Sequence, residues 1–527
     1  MIPPTAMQSE ARWLDHARAA VLEGDWTRAE TLSIAALEEH PRSFELRRLL
    51  AGVYRQTGRD ERAASLLREL LRERPQDFAC AFTLARMELS QARGHAAAQV
   101  LRECFEQGQC DVELAIKAVE LLDEADRKEE AAAIAKIALD ATPTDARLHA
   151  YAGMLQLQLG HFGQARTNYL FALDHSPEAC EWHVPHGLAN AQRYTDAAHP
   201  DFNLFRDLLR RPGLSGRARS SLMFALGKAY DDVGAWREAA DCFRQGNTFA
   251  RGLMSWSRDD WRIDLERRLK ASPIQVRSTT TDDFVPVFIV GMPRSGTTLL
   301  AELLGRFPRV RNRGELPWIG ELAQLPQFRN APDASALQQA AALYRAQTRQ
   351  DDSADARWFI DKQPMNFRYV DLLLAMFPNA RILWCRRSPR DTALSLWMQS
   401  FREDLLGYAY DFGDIDEVMR GCDRLMGKWC GEHPHSIRAI HYEALVANPD
   451  RILKETSQWL DLPSTQPAPA QASSISSSSL WQARQPVYSS SVGRWRNYSA
   501  YVPELLDFPE SGPSGSEVDP QLLGKSM

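Results

Sequence analysis

The chain has 527 residues, 44% of them hydrophobic and 25% charged, with a formal net charge of −6. That length exceeds what one hydrophobic core serves, so two or three domains are expected, and the acidic balance excludes general nucleic-acid binding through a basic face. The eight cysteines, at 80, 104, 110, 180, 242, 385, 422 and 430, form no CxxC pair and no Cys/His group at zinc spacing, so reduced buried thiols and no metal site are expected.

The opening stretch MIPPTAMQSEARWLDHARAA lacks a basic segment followed by an apolar one, and no later run approaches membrane-spanning length. A soluble cytoplasmic protein is the expectation. Self-similarity then appears with a period of 34 residues. Prolines stand at 41, 75, 143 and 177, with Gln109 at the skipped position, and Gly24, Gly58 and Gly160 follow the same period. Five residues after each glycine comes an alanine, Ala29, Ala63 and Ala165, and Ala97 and Ala131 keep the register between them.

Each unit reads as a helical hairpin: the glycine ends the first helix, the alanine lets the second approach closely, and proline starts the next unit. The array resembles the tetratricopeptide repeat over residues 7 to 180. A further hairpin, SLMFALGKAYDDVGAWREAADCFRQGN, repeats the spacing at Gly234 and Ala239 after an irregular insertion, so a helical repeat domain over 7–252 is expected. Its groove would take a peptide or partner protein, or serve as scaffold or dimerisation surface. Residues 253–283 read as a linker, a helix and then a loop.

From 284 the pattern changes to short apolar runs, VPVFIV, RWFIDK, ARILWC and SIRAIHY, alternating with helical or loop segments. That alternation predicts a parallel sheet covered by helices, with ligands at the carboxyl ends of its strands. In VPVFIVGMPRSGTTLLAELL a strand stops at Gly291 and a helix begins near Gly296. Backbone N–H groups from Arg294 to Thr298 would converge at a helix N-terminus, where unpaired donors and the helix dipole favour phosphate. The Gly291-to-Gly296 spacing is that of a Walker A loop, but Thr297 stands where the lysine belongs, which argues against a nucleoside triphosphatase.

FIVGMPRSGTTLL, RNRGEL, DKQPMNF, FPNARILWCRRSPRDTALS, HYEALV and RQPVYSSSVGRWRNY occur in an order that resembles the sulfotransferases using 3′-phosphoadenosine 5′-phosphosulfate, PAPS. Within that family the chain resembles the branch of protein-tyrosine sulfotransferases and repeat-fused bacterial enzymes. The resemblance implies an α plus α/β architecture: a tetratricopeptide-like solenoid, then a P-loop-like sulfotransferase domain over 284–508; the tail at 509–527, rich in Gly, Ser and Pro, is expected to be disordered. The resemblance implies that Arg294, Ser295, Gly296, Thr297 and Thr298 hold the 5′-phosphosulfate. Arg387, Ser395 and Arg494 would bind the 3′-phosphate, while Tyr442 contacts the adenosine side.

By the same resemblance Glu315 is the catalytic base, provided burial raises its pKa toward neutrality. Lys362 would stabilise the leaving phosphate, and Ser479 would assist at the same oxygen, with Ser478 as the alternative register. Arg and Lys supply the positive charge, so no metal is required. The low-complexity run at 463–479 reads as a mobile loop or lid. The acceptor is expected to be a hydroxyl, with protein or peptide tyrosine favoured; a carbohydrate or small-molecule hydroxyl, or an inactive repeat scaffold, are the alternatives.

Overall fold

The structure, a computed structural model, describes residues 4–107, 111–275, 277–278, 283–329, 332–350, 355–401, 404–463 and 491–510. Two compact units emerge, Met1–Leu155 and Gln156–Met527. This division differs in kind from the limits 7–252, 253–283 and 284–508, which follow repeats and motifs.

The first unit is built from paired helices, including Trp26–Glu39, Phe44–Gln56, Asp60–Glu73, Phe78–Ser90, Gly94–Gln107, Val112–Glu124 and Lys128–Ala141. The periodic positions explain the pairing. Gly24, Gly58 and Gly160 adopt φ of 75°, 73° and 85°, and where the glycine is missing Ala92 and Asp126 take the same left-handed turn, at 60° and 56°. The turn is thus conserved in geometry across the repeats, at a local strain that glycine avoids. Ala29, Ala63, Ala97, Ala131 and Ala165 are all fully buried, as a close helix–helix approach requires.

The prolines act one step earlier than their spacing implied. Pro41, Pro75 and Pro143 lie in the turn before the helix, and the helices begin behind Ser43, Asp77 and Asp145, two residues on. Ser43, Asp77 and Asp111 each accept a hydrogen bond from the amide three residues ahead, and Asp145 accepts from Leu148 N. These caps form a third series at the same period.

In the second unit the irregular insertion folds as two short helices, Val184–Asn190 and Pro200–Leu209, and the later hairpin is Gly216–Asp232 with Trp236–Arg251. Gly227 is needed there, because a Cβ would stand 2.7 Å from the Phe243 ring. The expected connecting helix is Arg258–Lys270, which buries Trp261 and Leu265 against the helix Phe412–Glu432.

Five parallel strands make the sheet: β1 (Val285–Gly291), β2 (Val310–Asn312), β3 (Trp358–Asp361), β4 (Arg381–Arg386) and β5 (Ile437–His441), ordered β2-β3-β1-β4-β5. Four coincide with the expected apolar runs. The fifth, β2, escapes pattern reading because its three residues are Val, Arg and Asn at an edge. Side chains alternate along β1: Phe288 and Val290 enter one core with Phe359 and Ile382, while Val287 and Ile289 enter another with Trp358, Ile360 and Leu383. Both faces are covered, as a parallel sheet demands. Among the described residues the cysteines are free, and no helix is long and apolar enough to cross a membrane.

Candidate active site

The sheet order reverses direction around β1: the chain runs from it to β2 and β3 on one side, then to β4 and β5 on the other. Loops leaving β1, β3, β4 and β5 therefore open at one edge of the sheet, where ligands of such folds bind. The β1 loop turns sharply into the helix Thr297–Gly305. Gly291, at φ 136°, has no room for a side chain because a Cβ would collide with the Cys385 carbonyl of β4. Gly296 caps the helix at φ 97°, and a Cβ there would collide with the Tyr442 ring. Two glycines thus allow a narrow cradle that any side chain would fill.

Cradle and strand ends are tied together. Arg294 Nε donates to Ser395 Oγ at 3.1 Å, from the helix Pro389–Trp397 that follows β4. Arg387 donates to the Arg294 carbonyl at 3.0 Å and to the Ser491 carbonyl at 2.5 Å, and its guanidinium lies 4.7 Å from the centre of the Tyr442 ring. The structure thereby brings together Arg294, Gly296, Arg387, Ser395 and Tyr442, with Ser295, Thr297 and Thr298 buried in the same loop. Two polar atoms, Ser295 Oγ and Arg387 Nε, are buried without a partner among the described residues. A phosphorylated ligand fits this cradle: it offers acceptors to just these donors.

The turn that carries Arg494 comes in beside the site from the other end of the chain. Arg387 holds Ser491, and Asp391 accepts from Gly493 N at 2.7 Å and Trp495 N at 3.0 Å, so the 491–495 turn is fastened beside β4. Arg494 itself pairs with Asp231. The neighbouring Arg390 donates to the Phe508 carbonyl at 2.8 Å and stacks on Trp495. Asp391 is thus spent on backbone amides.

The second half of the site is Glu315 and Lys362, which form an ion pair. Lys362 extends β3, is 3% exposed, and donates its amide to the Gly314 carbonyl at 2.7 Å. Glu315 follows a turn fixed from both sides. Asn312 Oδ1 accepts from Gly314 N at 3.1 Å, Gly314 adopts φ 64°, and Arg313 donates to the carbonyls of Thr348 and Arg349, each at 2.8 Å, at the end of the helix Ala334–Arg349. The Glu315 side chain is 35% exposed and sits on an ammonium, so the burial expected of it is absent. Charge pairing, not desolvation, sets its environment.

A buried acid lies behind this pair. Asp361, 1% exposed, accepts from Tyr344 O–H at 2.8 Å and from the Leu316 amide at 3.4 Å. Burial pushes its carboxyl up to about 7, against the hydrogen bonds from Tyr344 and Leu316; the Glu315 carboxylate adds to the rise and Lys362 opposes it. Reading the sequence passed over Asp361, although it directly precedes Lys362 in a strand of otherwise apolar residues. Ser479 and its alternative Ser478 lie outside the described residues, as do nearly all of the 463–479 run and 511–527 of the tail.

Residues 286–467 match the family model described as "Sulfotransferase family", and residues 14–78 match a tetratricopeptide-repeat model. An uncharacterized protein of Aquifex aeolicus (strain VF5) is 26% identical over 350 residues, covering 62% of this chain and 46% of its own length. A protein-tyrosine sulfotransferase of Drosophila melanogaster is 24% identical over 241 residues, 38% of this chain and 45% of that one. Among solved structures, the sulfotransferase domain of the Synechococcus PCC 7002 olefin synthase is 17% identical with a TM-score of 0.33, covering 43% of this chain and 91% of that one. The chain spans about half the length of the curated relatives it matches. With a glycine-walled loop on a five-stranded parallel sheet, preceded by paired helices of a 34-residue period, the chain carries over residues 286–467 a domain that matches the sulfotransferase family, behind helices that match tetratricopeptide repeats.

Proposed function

We propose that the chain transfers a sulfuryl group from PAPS to a hydroxyl acceptor, with tyrosine in a protein or peptide as the favoured acceptor. In this reading 284–508 is the transferase domain, and within the helical part 7–252 the N-terminal repeats dock the acceptor or a partner. The observation that supports it most is the pairing of a lysine and a glutamate, Lys362 and Glu315, at the sheet edge that also carries a phosphate cradle lacking its Walker lysine.

PAPS supplies, when bound, the sulfuryl group and a phosphate leaving group. Arg294, Ser295, Gly296, Thr297 and Thr298 hold the 5′ end through backbone and hydroxyl donors. Arg387, Ser395 and Arg494 hold the 3′-phosphate, and Tyr442 borders the adenosine. Lys362 exchanges its contact with Glu315 for the bridging oxygen, where negative charge gathers as the sulfur–oxygen bond breaks. Glu315, released, accepts the acceptor's proton as the new oxygen–sulfur bond forms. Ser479 would donate to the same bridging oxygen as Lys362. The distant tyrosine-sulfating relatives and a repeat array suited to peptides favour tyrosine.

Incubation with sulfur-labelled PAPS and tyrosine peptides, each beside its phenylalanine counterpart, tests this. Label is expected on tyrosine peptides alone; label only in glycan or small molecules would overturn the tyrosine assignment. Glu315→Gln should lower turnover by about a hundredfold or more while 3′-phosphoadenosine 5′-phosphate still binds.

A further inference from the structure

The hairpin Gly216–Asp232 with Trp236–Arg251 repeats the spacing of the N-terminal array, yet three of its polar contacts run to Arg494, Glu504 and Trp397, on segments around the candidate nucleotide site. The helix Gly216–Asp232 ends in two acids, Asp231 and Asp232, where the helix dipole disfavours negative charge. Each has found a cation. Asp232 pairs with Lys228 at 2.5 Å and accepts the Tyr194 amide at 2.9 Å. Asp231, 9% exposed, pairs with Arg494, and its other oxygen accepts Tyr498 O–H at 2.5 Å. Tyr498 is fully buried, with its ring 5.5 Å from that of Trp236 in the same hairpin.

Around Arg494 the backbone and the side chain are held by different parts of the protein. Asp391 grips the amides of Gly493 and Trp495, and Arg387 grips Ser491, so strand-end residues fix the turn. Among the described residues, Asp231 is the acid that pairs with the guanidinium and so sets its direction. From the second helix of the hairpin, Asn247, 2% exposed, donates to the Trp397 carbonyl at 2.9 Å, at the end of the helix that carries Ser395. Arg244 pairs with Glu504 at 2.6 Å, ten residues past Arg494.

We propose that Asp231 is a positioning residue for nucleotide recognition: the repeat-like hairpin aims Arg494 at the 3′-phosphate, which makes this hairpin a wall of the nucleotide site and not a docking repeat. The proposal rests on the reading of Arg494 as a 3′-phosphate ligand. A guanidinium has five donors in a planar fork, so Arg494 can keep Asp231 on one edge and meet phosphate oxygens on another. Loss of the carboxylate removes this anchor from a long side chain, so the ligand must supply more of its ordering.

Calorimetry with two probes tests this on the full chain: 3′-phosphoadenosine 5′-phosphate, and adenosine 5′-phosphate, which lacks the 3′ group. Asp231→Asn should bind the bisphosphate about tenfold more weakly, by the rotamer freedom restored to Arg494, and the monophosphate equally well. Arg494→Ala should lose at least as much on the bisphosphate alone, and the double variant should be no weaker than Arg494→Ala. Tyr498→Phe, which releases the second oxygen of Asp231 and leaves the ion pair, should move the same ratio in the same direction by a smaller factor. Unchanged or tighter bisphosphate binding by Asp231→Asn, where Arg494→Ala is impaired, would overturn the positioning role alone. Equal losses on both probes would show a merely structural role, and wild-type binding by Arg494→Ala would overturn the reading of Arg494 itself.

Discussion

Replacing Asp361 by asparagine isolates the titration of one buried carboxyl beside the Glu315–Lys362 pair. The amide can keep most of the local geometry: its oxygen accepts from Leu316 N, its nitrogen donates to Tyr344 Oη in a reversed hydrogen bond, and the 3.5 Å contact from Asn366 is given up, while the charge is gone. In the native chain burial lifts this carboxyl from an ordinary 3.8 to about 7. The folded state therefore holds a proton through a pH range in which the unfolded state has lost it. Stability falls as pH rises from about 4 to about 7 and levels off above that, the total amounting to roughly 4 kcal/mol. Between pH 5 and pH 8 the part that can be followed is about 2.5 kcal/mol. Urea unfolding of the native chain and of Asp361→Asn, followed by tryptophan fluorescence across this range, gives the difference directly. Native stability should decline relative to the variant by that amount as pH rises. A difference that stays flat, or one that grows in favour of the native chain, would refute the neutral buried carboxyl.

Three further outcomes are expected. Gly296→Ala places a methyl group against the Tyr442 ring in a left-handed backbone that itself disfavours alanine by about 1–2 kcal/mol, so calorimetry should show nucleotide affinity reduced more than tenfold. Lys362→Met should reduce turnover by roughly a hundredfold or more with nucleotide dissociation little changed; a weakened Kd with normal turnover would move Lys362 out of the transition state. A chain starting at Ala146 should keep a cooperative melt and bind 3′-phosphoadenosine 5′-phosphate. One starting at Arg251 loses Asp231, Arg244 and Asn247 with their partners Arg494, Glu504 and Trp397 left unmatched, and should fail to fold or bind.

The sequence by itself determined what depends on local periodicity and on backbone chemistry. A 34-residue recurrence of glycine and alanine specifies tight turns and close helix pairs, and the structure keeps the turn even where Ala92 and Asp126 replace glycine. Its cap series, Ser43, Asp77, Asp111 and Asp145, was equally present in the chain, at the same period, and needed only to be sought. The strand, glycine loop and helix of 285–305 were legible because φ values closed to other residues force glycine at 291 and 296. Four of the five strands announced themselves as apolar runs; β2 did not, since an edge strand of three residues has too little to bury.

Tertiary structure alone decided which distant groups meet. Nothing in a run of letters links Asp231 to Arg494 across 263 positions, or tells that Glu315 faces the Lys362 ammonium and is not buried. The rise of Asp361 likewise comes from walls that converge from the helix Ala334–Arg349, the turn before Leu316 and β3. Hydrogen-bonded turns and apolar spacing act over a few residues, so they are written locally. Charge pairing and desolvation depend on what folding brings within a few ångströms, and that is fixed only once the sheet and its covering helices have closed.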